Sequence, residues 1–457
     1  MDLLHRANQL RSSLPENFRD LLVHDLYQEA EKITQKVVVA TRKKHFLWED
    51  LLDRIVTHPI YGVILMAGGL SLAFWITIVG ANGISEILAG VLFSIEEWGA
   101  KLFEALSIPS WITGIVWHGT YRGLAWVVSV MLPPMAIFFP IFTILEDFGY
   151  LPRVAFNLDF LFKKAGAHGK QALTMTMGFG CNAAGVVSTR IIESPRERLI
   201  AILTNNFVPC NGRWPTLIML GTLFVASSFP PVIATLAGVG SILLAVLVGV
   251  LFTFLVSYFL SRTILRGEVS AFTLELPPYR KPQILRILYT SLIDRTLLVL
   301  WRAVVMAAPA GAVIWLLGNL PSSSSPLSLT LSHFLDPVGR LLGLDGVILL
   351  SYIVAIPANE IVIPTMIMIY QKASMMLEVD SLSALKTLFI EEAGWNLKTA
   401  ICLMLFCVLH NPCSTTILTI WKETGSIRWT LWGALLPLAI AFVVTFLVNL
   451  LLTFAGV

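Results

Sequence analysis

The chain has 457 residues, 56% of them hydrophobic and only 13% charged, with a mean hydropathy of +0.77. A soluble domain carries about 25% charged residues, so the composition excludes a soluble globular protein and indicates a polytopic membrane protein. A net charge of +3 is too small to argue for a nucleic-acid partner, and the five cysteines all lie in or beside apolar segments, which leaves metal contact or plain burial rather than a disulfide framework.

In chain order, residues 1–57 read as a cytoplasmic amphipathic helical segment, a solvated collar on the membrane or a docking surface for a partner. They are charged throughout and lack the apolar core of a cleavable signal peptide. A first transmembrane helix and an outer interfacial helix are expected over 58–121, with the span at about 60–81. Further clear spans follow at about 122–145, 232–260, 297–319 and 430–455, each near the ~20 residues needed to cross a bilayer. Four other apolar stretches are interrupted. Leu173–Thr189 contains "GFGCN", Leu199–Phe224 contains "NNFVPCNGRWP", Gly346–Lys372 contains "IPANEIVIP", and Leu397–Trp421 contains "HNPCSTT".

Cytoplasmic loops of membrane proteins are enriched in Lys and Arg. This decides which interrupted stretches cross. If 173–189 crossed, the clusters at Arg190, Arg196 and Arg198 and between 261 and 302 would lie outside. If 173–189 and 346–372 are re-entrant hairpins while 199–224 and 397–421 cross as broken helices, all but seven of the 32 Lys and Arg fall inside. The seven are Lys101, Arg122, Arg213, Arg340, Lys372, Lys386 and Lys398. The order span, loop, hairpin, broken span, full span then occurs twice with opposite orientation, in 122–260 and 297–457, joined by a cytoplasmic basic connector at 261–296. The expected fold is an all-α polytopic membrane protein built as an inverted repeat with re-entrant hairpins and broken transmembrane helices, the signature of a transporter with its site near the midplane. The breaks pair as Cys181-Asn182 with Asn359-Glu360, and Pro209-Cys210 with Pro412-Cys413.

Non-helical backbone at membrane depth is tolerated only where it is buried in protein or lines a cavity. At these breaks Cys181, Cys210 and Cys413 could supply sulfur, Asn182, Asn206, Asn211 and Asn359 amide oxygen, and Glu360 a charge. A mixed set of this kind suits a borderline transition metal better than Na⁺, Mg²⁺ or Ca²⁺, which prefer all-oxygen sites. A carboxylate at membrane depth is functional by default; the bland alternative is an interfacial or paired Glu360. Cys402 and Cys407 read as small buried hydrophobes, His58 and His118 as interfacial, and His410 as a satisfied buried histidine. "AGAHGKQA" is not a phosphate-binding loop, because Gln follows Lys170 and no glycine stands five positions before Gly169. With no nucleotide-binding motif, the chain is expected not to be an enzyme and to hydrolyse neither ATP nor GTP by itself.

On "GFGCNAAGVVSTRIIESPRERLIAILTNNFVPCNGRWP", "IPANEIVIP", "NPCSTTILTIWKETGS" and the lead-in "EAEKITQKVV…LDRIVTHPIYG", the sequence resembles the membrane domain of the FeoB ferrous iron transport family over about 25–457. The resemblance implies two gate-type repeats and transport of Fe²⁺ into the cytoplasm across the bacterial inner membrane by a multi-pass permease with a cytoplasmic N-terminus. Family metal positions fall on Cys181 and Cys210, with Cys413 less closely matched; Asn182, Asn359 and Glu360 complete the candidate set read from the breaks. Iron would be cargo rather than a permanent cofactor, and Mn²⁺ or Zn²⁺ could use similar ligands. The family's N-terminal GTP-binding domain has no counterpart in this sequence, so a separate GTP-binding protein docking on residues 1–57 is one expectation and transport without one is another. The bilayer is the other partner, and a homo-oligomer is compatible. Two further readings stay open: a nucleoside or other organic-solute carrier of the same inverted-repeat type, and a non-transporting gate-type scaffold.

Overall fold

The computed structural model describes residues 18–37, 47–58, 60–267, 279, 282–322, 325–377 and 382–456. Residues 1–17 and 38–46 of the N-terminal segment, and 268–278 and 280–281 of the connector, lie outside the described residues. Apart from a two-residue ladder pairing Pro321–Ser322 with Ser325–Pro326, the described elements are helical. Among the described residues, six helical stretches are long and apolar enough to cross a membrane.

Two helices, α1 (Phe18–Val37) and α2 (Leu47–Val56), precede the membrane region. Next comes α3, a single 45-residue helix over Tyr61–Ala105. The expected span and interfacial helix are thus one element. No proline interrupts the sequence from 61 to 105, and its apolar residues continue past position 81, so nothing ends the helix until the turn before Pro109.

The first unit consists of α4 (Arg122–Asp147), which extends the helical stretch beginning at Ser110, then α5 (Tyr150–Lys164), a hairpin of α6 (Gln171–Gly180) and α7 (Asn182–Ser188), a broken span of α8 (Pro195–Thr204) and α9 (Trp214–Leu220), and α10 (Pro231–Arg262). The second unit repeats the order. It has α11 (Leu298–Asn319), α12 (Leu327–Leu341), a hairpin of α13 (Gly346–Val354) and α14 (Val362–Tyr370), a broken span of α15 (Leu397–Leu409) and α16 (Ser414–Thr424), and α17 (Ile427–Phe454). Both hairpins return to where they start. Lys170 at the entrance of the first places its ammonium 3.2 Å from the Ile191 carbonyl at the exit, and Asp345 at the entrance of the second bonds to the Tyr370 hydroxyl at its exit.

The two hairpins are launched by the same device. Asp159 on α5 accepts a hydrogen bond from the Gly169 amide at 3.0 Å, and Asp336 on α12 accepts one from the Gly346 amide at 2.8 Å. Between each pair, Gly166 (φ +71°) and Gly343 (φ +70°) turn the chain through the left-handed region that glycine enters without steric cost. The spacing from aspartate to glycine to hairpin break is the same in both units.

The units meet along α4 and α11, where small residues let the backbones touch. A Cβ on Gly311 would lie 2.3 Å from the Gly119 carbonyl oxygen, and one on Gly123 would lie 2.8 Å from the Gly311 Cα. On one flank of this contact Glu96 of α3, 1% exposed, pairs with Arg122 at 3.1 Å and with His118 at 2.7 Å. Arg213, counted above among the charges outside, is instead fully buried. Its loop is folded into the protein between the two broken spans, so the charge rule does not apply to it.

Candidate functional site

Each hairpin break contains an extended residue directly before the returning helical segment. Cys181 has φ −153° and ψ 122°, and Ala358 has φ −152° and ψ 118°. The counterpart of Cys181 is therefore Ala358, and that of Asn182 is Asn359; the pairing expected from sequence is off by one residue. Glu360 stands where the first unit has Ala183. The broken spans match in the expected register. Pro209 and Pro412, which have no N–H to continue a helix, precede Cys210 (φ −84°, ψ 172°) and Cys413 (φ −64°, ψ 158°). Each of these cysteines begins a new helical turn, its carbonyl accepting from Arg213 N at 2.9 Å and from Ile417 N at 3.0 Å respectively.

The four breaks converge. Cys181, Asn182, Cys210, Asn359, Glu360 and Cys413 all line one cavity of about 30 Å³, together with Asn211, Gly212 and Thr415. Both units therefore contribute to one pocket. Cys181 and Cys210 are buried, each 8% exposed. The Asn359 amide nitrogen lies 4.0 Å from the Cys210 sulfur, and its oxygen lies 3.5 Å from His410 Nε2. The Glu360 carboxylate lies against the bare Cα of Gly212, where an added Cβ would sit 2.4 Å from Oε1. The Cys413 sulfur is 3.3 Å from the Thr416 hydroxyl. Asn182 is held by its neighbours: its carbonyl accepts from Asn205 Nδ2 at 3.0 Å, and its amide lies 3.3 Å from Asn206 Oδ1. Among the described residues, no three His, Cys, Asp or Glu side chains are grouped closely enough to hold a metal ion. In this arrangement the candidate donors surround the cavity without forming a coordination shell.

The residues set aside in the sequence are elsewhere. Cys402 and Cys407 are buried within α15 and do not line the cavity. His58 accepts from the Ile60 and Tyr61 amides at the start of α3. His410 turns Nδ1 to the Cys407 carbonyl at 2.8 Å, as a satisfied buried histidine does.

Two contributors went unrecognised. Thr415 places a buried hydroxyl with no partner beside the cavity, and only its position two residues after Cys413 could have drawn attention to it. Arg213 spans the two broken helices. Its signal was an arginine three residues after a break, within an otherwise uncharged stretch from 199 to 224.

Comparison with known proteins fits this geometry. The family described as "Gate: Nucleoside recognition" matches residues 128–224 and 300–427, and the family described as "Ferrous iron transport protein B C terminus" matches 242–294. These matches are consistent with the membrane domain of the FeoB ferrous iron transport family. Relatives named Fe(2+) transporter FeoB include those of Staphylococcus aureus (strain MSSA476), 26% identical over 91% of this chain, and of Campylobacter jejuni, 26% identical over 93%. A fusion protein of Porphyromonas gingivalis, named Fe(2+) transport protein A/Fe(2+) transporter FeoB, is 27% identical over 87%. The chain spans 61% of the length of the S. aureus relative, 68% of the C. jejuni one and 51% of the fusion protein. No solved structure matches it.

Proposed function

We propose that this multi-pass membrane protein is a permease that carries Fe²⁺ through the cavity at its helix breaks, into the cytoplasm across the bacterial inner membrane, with its N-terminus cytoplasmic. The observation that carries the reading is the meeting of three thiols, three amides and one carboxylate from four separate breaks at one pocket. Borderline transition metals take such mixed donors, and thiolate sulfur selects against alkali and alkaline-earth ions. The relatives' names give Fe(2+) as cargo, and nothing in the pocket favours Mn²⁺ or Zn²⁺ over it. The donors come from both units, so a shift of one unit against the other would draw them together or apart. The chain would perform no covalent chemistry, and a separate GTP-binding protein would act through α1 and α2.

The organic-solute reading is disfavoured by size. Pockets for such ligands are ~300–1,000 Å³, an order of magnitude above the cavity here. Uptake of radiolabelled Fe²⁺ and of uridine into proteoliposomes containing the purified chain tests both. Iron uptake with no uridine uptake is expected. Uridine uptake alone would overturn the assignment, and transport of neither would favour a scaffold.

A further inference from the structure

We propose that the Arg213 guanidinium occupies a carbonyl-lined cation site between the two broken spans, so that the protein's own side chain fills the place where discontinuous-helix transporters bind a free coupling cation.

Helix α15 ends at Leu409, leaving its last carbonyls without helical partners and with the partial negative charge of a helix C-terminus. Arg213 answers them. Its Nη1 donates to Val408 O at 2.9 Å and to Asn206 O at 2.7 Å. Its Nη2 donates to His410 O at 3.0 Å, Asn411 O at 3.3 Å and Asn206 Oδ1 at 3.1 Å. Asn206 closes the ring, its amide donating to His410 O at 2.7 Å. Five oxygens thus face one cation, three from the second unit and two from the first. No carboxylate is among these partners, and Arg213 is fully buried. A charge with no carboxylate in direct contact at this depth is stabilised by fixed dipoles. Unwound carbonyls beside a half-helix C-terminus are the environment in which such transporters hold Na⁺ or a proton.

The consequence is positional. Cys210 stands three residues before Arg213, and Cys413 two after Asn411, so the guanidinium fixes how the two thiol-bearing breaks face each other. A lysine could not substitute. Its single ammonium has three donors from one point, whereas the guanidinium presents a planar fork to both spans. Arg213 is therefore a positioning residue, and the inference draws on the transport reading only for its iron-uptake and iron-affinity measurements.

The test uses the full chain in detergent and in proteoliposomes. Arg213→Ala should melt below wild type, and millimolar guanidinium or Na⁺ should raise its melting temperature saturably, while choline does not and wild type responds to none of them. Iron uptake of Arg213→Ala should fall at least tenfold and recover in part with the same ions. Arg213→Lys, the safer variant to fold, should keep the charge yet bind iron at least tenfold more weakly, without rescue. An Arg213→Ala protein that melts as wild type, or whose melting ignores guanidinium and Na⁺, overturns the proposal. If Arg213→Ala does not fold, wild-type iron affinity in Arg213→Lys overturns it instead. The melting measurement needs no metal, so it stands even if wild type proves not to carry iron.

Discussion

Replacing Gly212 by alanine would show whether Glu360 is held in the cavity by fit. The added Cβ would lie 2.4 Å from Glu360 Oε1 and 2.6 Å from its Cδ, whereas ordinary contact begins at 3.4 Å. The carboxylate must therefore retreat by about 1 Å, several times the ~0.2 Å tolerance on metal–ligand distances. The atom displaced is the far end of a flexible side chain, so the fold should survive. Displacing a group that positions or supplies a ligand weakens metal affinity ~10–100-fold, equivalent to about 1.4–2.7 kcal/mol. The assay is anaerobic Fe²⁺ titration of the purified protein, paired with a thermal melt. Glu360→Gln should weaken binding by a similar factor, and adding Gly212→Ala to it should cost nothing more, since both act through one carboxylate. Wild-type affinity in Gly212→Ala, or full additivity with Glu360→Gln, would refute the reasoning and leave Glu360 a structural side chain.

Cys181→Ser and Cys210→Ser should each lower Fe²⁺ uptake at least tenfold with folding intact, because iron prefers thiolate to hydroxyl, whereas Cys402→Ser should transport normally; wild-type uptake in the double Cys181→Ser/Cys210→Ser protein would end the ligand assignment. Thr415→Val removes a buried hydroxyl without a partner, so it should be neutral or slightly stabilising in a thermal melt and should still weaken iron affinity several-fold if the hydroxyl faces cargo; unchanged affinity removes Thr415 from the site. Where α2 meets α5, partial burial pushes the Asp53 carboxyl up, but hydrogen bonds from Arg153 and Tyr279 and the Arg153 charge outweigh it and hold the group below its ordinary value. A depressed carboxylate adds stability that is complete above its unfolded value, about 4, and is lost as pH falls through the folded value. Hydrogen exchange in Leu47–Val56 should therefore accelerate on acidification below about pH 4 in wild type and be fast at every pH in Asp53→Asn; pH-independent protection in wild type would show that α2 is held by other contacts.

The full spans were readable because ~20 apolar residues have few other uses, and the hairpins because their basic flanks would otherwise fall on the wrong side. All six candidate site residues converged on one cavity for a related reason. Cys, Asn and Glu are costly at membrane depth, so their presence at breaks already marks a site. The length of α3 was missed because a hydropathy pattern shows where lipid ends, not where a helix ends. The repeat device that launches the hairpins was missed because only Asp159 and Asp336, Gly166 and Gly343, and Gly169 and Gly346 correspond, among flanks as different as "FLFKKAGAHGK" and "PVGRLLGLDGV". Without those anchors the hairpin breaks were aligned one residue out. Arg213 was misplaced because a rule about loop charges cannot recognise a loop folded into the core.

The two units share a backbone but differ in chemistry, and the difference indicates where the structure can open. Counting from Cys210 and Cys413, the counterpart of Arg213 is Thr416, so the guanidinium crosses from the first unit to the second and no second guanidinium crosses back from the equivalent position. That contact is buried, and three of the guanidinium's five hydrogen bonds cross between the units. At the first hairpin, beside the packing of α7 on α16, the second broken span is met by the Arg190–Glu423 pair, at 2.7 and 2.8 Å, with the Arg190 side chain 66% and the Glu423 side chain 10% exposed. Exposed ion pairs are worth only ~0–1 kcal/mol, whereas each hydrogen bond to a buried charge contributes about 1.5–3 kcal/mol. If the units move against each other, the Arg190–Glu423 end should part first, with the Arg213 end as the fixed point. Joining Arg190→Cys and Glu423→Cys with a short bifunctional thiol reagent should therefore stop iron uptake, and a cleavable reagent should let uptake return on reduction. Full uptake by the cross-linked protein would show that α7 and α16 move together, and that the opening lies elsewhere.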